Sequence, residues 1–168
     1  YSKGGVAVFD TKDSFWISIS NPNKLPGNDP QATVWSIAFD DMDILWILNE
    51  KGIRYYTNYK FDKETKSISL TPFSVPDKDN PDVDIPVDYL SHISYTKGNR
   101  IRVDSQNNKW IITHQGVWVI AESTKFWPSE EGLHPENSGL LSDIVYDVAF
   151  DNDRGLAYLA TDKGISIL

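Results

Sequence analysis

Short runs of Val, Ile, Tyr, Trp and Phe alternate along this chain with clusters of Asn, Asp, Gly and Pro. Apolar runs bounded by turn formers are the pattern of β-strands. No full window places apolar residues at i, i+3, i+4 and i+7, the stripe an amphipathic helix needs. Nine prolines spread over 168 residues work further against long helices. The pattern predicts an all-β protein.

Three stretches repeat one another. The first is Val34-Trp35-Ser36-Ile37-Ala38-Phe39-Asp40, then Ile44–Leu48, then Lys51-Gly52-Ile53. The second is Asn99–Asp104, then Lys109–Thr113, then Gln115-Gly116-Val117. The third is Val145–Asp151, then Leu156–Thr161, then Lys163-Gly164-Ile165. In each, a first run ends in Asp, and an aromatic residue (Trp46, Trp110, Tyr158) stands six positions before a Gly. The chain opens on the tail of the same unit, Lys3-Gly4-Gly5-Val6. The glycines at 5, 52, 116 and 164 are 47, 64 and 48 residues apart. A period just under 50 with several short strands per unit is that of a β-propeller blade.

The run ending in Asp is then the innermost strand, and the Asp- and Asn-rich segment after it is a tight turn. The aromatic run is the second strand, and the Gly supplies the positive φ of the next hairpin. Phe15–Ser20 and Ser67–Phe73 are candidate outer strands. The fold expectation is a β-propeller fragment of about three four-stranded antiparallel blades, part of a larger propeller. Residues 1–20 end one blade, 33–73 and 99–123 are blades, and 144–168 start a further one. A small open sandwich of repeats is the competing architecture. The chain starts at Tyr1 with no initiator Met or signal core, so it reads as processed or as a piece of something longer.

The 64-residue interval carries an insertion placed within 74–98, where Val75–Pro86 holds three Pro and four Asp and reads as an extended, solvated loop. In a propeller, such connections share one rim with the turns between second and third strands. That rim is the usual ligand surface, and a long loop there is often functional. A tolerated surface insertion is the alternative.

Composition removes several function classes. Acids outnumber bases 24 to 16, for a net charge of −8, which argues against a nucleic-acid partner. There is no cysteine, hence no disulfide, thiolate metal site or cysteine nucleophile. No apolar run approaches the ~20 residues of a membrane span.

The repeat resembles that of the two-component-regulator propellers: an inner strand ending in Asp, then a second strand carrying Trp and Thr before a Gly-Ile or Gly-Leu turn. The final unit, Asn137-Ser138-Gly139-Leu140-Leu141-Ser142-Asp143 followed by Val145–Asp151 and Ala160–Ile165, is similar to the closing blades of exported Bacteroidetes propellers of the type IX secretion group. Tyr158 stands for the usual Trp, Leu48-Asn49 for the usual Thr, and His114 follows Thr113. The resemblance implies export to the periplasm or outer cell surface. Its partners would be a surface glycan, a lipopolysaccharide or proteins of a secretion or attachment complex.

Catalytic chemistry is thin on the page. His92, His114 and His134 are too widely spaced for a local metal pair, though all three fall on the candidate rim. Asp151-Asn152-Asp153-Arg154-Gly155 begins like a calcium loop but reads as an ordinary turn, because strand residues follow at once. The Ser-x-Asp-x-Gly-x-Thr-Trp turn of sialidases and a Gly-rich phosphate loop are both absent. Aromatic residues remain the lead: Trp118 after a turn Gly, and Phe126-Trp127-Pro128 within a connection, could stack on sugar rings or fill gaps between blades. Trp46 and Trp110 read as gap fillers.

The favoured function is a non-catalytic recognition or scaffold propeller without cofactor or metal. A ligand sensor of a hybrid two-component regulator and a propeller lyase or glycosidase are the alternatives. The expected ligand contacts are the hairpin turns Asn49, Glu50 and Lys51, His114 and Gln115, and Asp162 and Lys163, with Trp127 beside them.

Overall fold

A computed structural model describes residues 6–19, 25–28, 32–62, 64–65, 67–121 and 125–168. The opening Lys3-Gly4-Gly5 hairpin lies outside the described residues, as do Ser20 and parts of the connections at 21–33 and 122–124.

Apart from a 3-10 turn at Pro26–Asn28, the regular structure is strand throughout the described residues. The strands are β1 (Val6–Asp10), β2 (Phe15–Ile19), β3 (Val34–Phe39), β4 (Leu45–Asn49), β5 (Gly52–Asp62), β6 (Ser67–Pro72), β7 (Ser74–Pro76) and β8 (Asp84–Pro86). They continue with β9 (Arg100–Val103), β10 (Lys109–Ile112), β11 (Val117–Ala121), β12 (Lys125–Trp127), β13 (Val145–Asp151), β14 (Leu156–Thr161) and β15 (Gly164–Ile167). Two sheets are four-stranded meanders, β3-β4-β5-β6 and β9-β10-β11-β12. A third, β13-β14-β15, has three strands, and β1-β2 and β7-β8 are two-stranded ribbons. Sequential meanders of this size are propeller blades.

The second strand of each four-stranded blade is buried on both faces, as the near-continuous apolar runs of β4 and β10 require. Each second strand is followed by the expected Gly hairpin: Gly52, Gly116 and Gly164 have φ of 143°, 112° and 125°, where a side chain would be strained.

Two stretches read as loops are strands. Lys125–Trp127 forms β12, the outer strand of its blade, pairing Trp127 with Val119 and Phe126 with Ile120. The insertion at 74–98 contains the ribbon β7–β8, in which Val75 pairs with Ile85. Its base is tied to the blade, since Phe73 N–H donates to the Tyr55 carbonyl and Val87 N–H to that of Phe73.

The chain divides into two compact units. The first, Tyr1–Val34 with Met42–Ser94, has a core that includes Leu25, Leu45, Ile47, Tyr56 and Leu70. The second, Trp35–Asp41 with Tyr95–Leu168, is built around Trp110, Ile112, Val119, Leu140, Val148 and Leu159.

Candidate functional site

The second unit holds an open-mouthed cleft of about 420 Å³, inside the ~300–1,000 Å³ range of ligand sites. Strand register explains its walls. Residues opposed across antiparallel strands share a face, and Trp110 faces Val119, which faces Trp127. On the other blade Phe150 faces Ala157, whose backbone exchanges two hydrogen bonds with Leu168. All six side chains line the cleft. The Trp110 and Phe150 rings meet at 5.5 Å between centroids, while Trp127 is 51% exposed.

The lip is polar because two equivalent turns of the repeat border it, the Asp104–Asn108 turn and the Asp151–Gly155 turn. Asp104 organises the first. Its Oδ1 accepts the N–H groups of Gln106 and Asn108, both at 2.9 Å. Its Oδ2 accepts the Asn108 amide at 2.9 Å and the Trp110 indole N–H at 2.8 Å. The inner-strand Asp of the repeat thus fixes the turn and orients the Trp six residues on. Asp151 is held by Arg154, whose guanidinium donates to Oδ2 at 2.7 Å. Ser105, Gln106 and Asn152 are exposed, and no side-chain hydrogen bond holds them among the described residues. The site therefore offers aromatic faces, free amides and a hydroxyl.

The residues expected from sequence to contact ligand are distributed differently. Asn49 is fully buried: its amide donates to the Pro26 carbonyl at 3.0 Å, and its Oδ1 accepts the Lys51 N–H at 2.7 Å. It braces a hairpin and offers no polar atom to a ligand. Glu50 and Lys51 flank it, exposed, in the first unit. His114 and Gln115 in the β10–β11 turn, and Asp162 and Lys163 in the β14–β15 turn, belong to the second unit. Both turns bond the entry to β13, Gly116 N–H to the Asp143 carbonyl and Asp162 N–H to that of Ile144. These turns lie at the opposite strand ends from the Asp turns of the cleft. Trp127 stands in the cleft wall, not beside the hairpin turns.

Trp118, read as a candidate surface aromatic, is only 5% exposed. Its indole N–H donates to the Glu130 carbonyl at 3.2 Å, and its ring packs edge-on against His134. His114 instead meets Tyr146 edge-on, and His92 is exposed. Among the described residues no cluster of three metal-ligating side chains forms. His134 is tightly held. Nδ1 lies 2.8 Å from Asp143 Oδ1, and Nε2 lies 2.8 Å from the Glu131 carbonyl. A carboxylate and a carbonyl only accept, so both contacts are satisfied together when the ring is doubly protonated. Burial disfavours that charge, but the Asp143 and Glu131 hydrogen bonds and the charges of Asp143 and Glu136 outweigh it. The pKa is therefore raised above the usual 6.5.

Successive four-stranded blades, each with a Gly hairpin after its second strand, define the fold as that of a β-propeller. Solved structures align with it along nearly its whole length. PorZ, an essential bacterial surface component of the type IX secretion system of Porphyromonas gingivalis, matches with a TM-score of 0.56 at 20% identity, over 98% of this chain and 29% of that one. The extracellular domain of BT4673 from B. thetaiotaomicron, assigned in one structure to a one-component system and in another to a hybrid two-component system, matches with TM-scores of 0.58 and 0.54. Identities there are 17% and 16%, over 99% of this chain and 19% of each of those. The chain thus spans less than a third of either neighbour, and the likeness is one of fold. No family model and no curated protein matches the sequence.

Proposed function

We propose that the protein is an exported, non-catalytic recognition propeller that binds a carbohydrate through the cleft between its β9–β12 and β13–β15 blades. The carrying observation is the exposed Trp127 ring, set in a wall with Trp110 in a cleft whose lip carries the Gln106 and Asn152 amides. An aromatic face beside hydrogen-bonding groups suits a sugar ring, apolar on one side and hydroxylated at its edge. Both lip carboxylates are already engaged by neighbouring donors, which favours holding a ligand over reacting with it. The solved neighbours, a surface component and extracellular domains, support export.

Calorimetric titration of cell-surface oligosaccharides into the protein tests the reading. Binding is expected in wild type and lost in Trp127→Ala. A protein that binds secretion-complex partners but no sugar, or that binds sugar equally well without Trp127, overturns it.

A further inference from the structure

We infer that the cleft selects uncharged sugars and rejects anionic ones, an inference that rests on the carbohydrate reading above. Two charged residues line the cleft, Asp104 and Asp151, and both are acids. The four hydrogen bonds to Asp104 occupy its acceptor positions, so it cannot also accept sugar hydroxyls. Its carboxylate sits beside the Trp110 ring that floors the site. Arg154, in the Asp151 turn, donates to Asp151 through both its guanidinium and its backbone N–H. A carboxylate, sulfate or phosphate entering the cleft would meet two like charges and no cation among the residues that line it. The net charge of −8 adds a field of the same sign at longer range.

What the site offers instead is neutral. Gln106 and Asn152 carry amides that both donate and accept, and Ser105 carries a hydroxyl. Together with Trp127 and Phe150 they match a ligand of hydroxyl groups and a C–H face.

The test compares neutral hexasaccharides (maltohexaose, cellohexaose, mannohexaose) with hexagalacturonate, a heparin hexasaccharide and lipopolysaccharide, at low and high salt. The expected result is binding of at least one neutral sugar with little salt dependence, and at least about tenfold weaker binding of the anionic ligands at low salt. Asp151→Asn should narrow that gap, with anionic binding gaining relative to neutral binding at low salt. Equal or tighter binding of an anionic ligand, in competition with the neutral one, overturns the charge selection and leaves the carbohydrate reading standing. No binding of any sugar overturns both.

Discussion

His134 shows how one side chain commits a connection to a narrow protonation state. Two acceptors favour its charged ring, with Asp143 and Glu136 as the facing charges and the Trp118 edge beside it. Because the folded pKa is raised, the stabilisation is fully present below about pH 6.5, the unfolded value, and is lost as pH rises through the folded one. The melting-temperature difference between wild type and His134→Gln should therefore be largest near pH 5.5 and shrink toward pH 9. A difference that is flat or grows with pH contradicts this. Repeat alignment exposes a second residue-scale device. Trp118 and Arg54 both stand two positions after the hairpin Gly, and Gly132 and Asp88 face them from equivalent returning segments. In one blade the indole lies over Gly132, where an added Cβ would fall 2.8 Å from the ring. In the other, Arg54 is 1% exposed and pairs with Asp88 at 2.6 and 3.0 Å. Arg54→Ala should cost about 3 kcal/mol in urea unfolding, because it strands a partly buried carboxylate. Neither pair is legible from sequence, since the partners are 14 and 34 residues apart with nothing local to join them.

At the scale of the element, the hairpin after each second strand is one device built three times among the described residues. Thr113 Oγ1 accepts the Gln115 N–H and donates to the Gly116 carbonyl, and Thr161 does the same with Lys163 and Gly164. Asn49 accepts from Lys51 in the equivalent place. The departure from Thr in the first repeat is thus a chemical substitute, and its role could have been read from the alignment. The glycines were legible from spacing because positive φ restricts residue choice. Gly116→Ala adds a Cβ 2.7 Å from the His134 ring and 2.8 Å from the Leu133 carbonyl, at φ 112°. It should destabilise by about 2 kcal/mol, read as a lower urea midpoint. A midpoint equal to wild type would show that the hairpin relaxes freely. The ribbon β7–β8 was illegible for the opposite reason. Its Pro and Asp content is that of a loop, and it is a strand pair because its base is anchored by Tyr55 and Phe73, whose rings stack at 4.9 Å.

For the molecule as a whole, the blade order was open to sequence reading because covalent repetition carries it. The cleft was not. It arises where rows of side chains from two blades face each other, and those rows draw on residues 104 to 168. Rim reasoning pointed to the hairpin turns, and the Asp turns at the other strand ends border the open cleft. Trp127→Ala should abolish sugar binding yet leave the melting temperature within a degree or two, because the ring is half exposed and on an outer strand. A large fall in melting temperature would make Trp127 a packing residue. The ribbon has a practical consequence of its own. Its tip, residues 77–83, is polar and largely exposed, while the bonds that secure it sit at its base. A label or affinity tag spliced in beside Lys78 would hang from the first unit by a stalk, leaving both cores and the cleft walls in their native sequence. Immobilisation through that stalk gives the titrations above a surface-plasmon counterpart in which the captured molecule keeps every side chain under test.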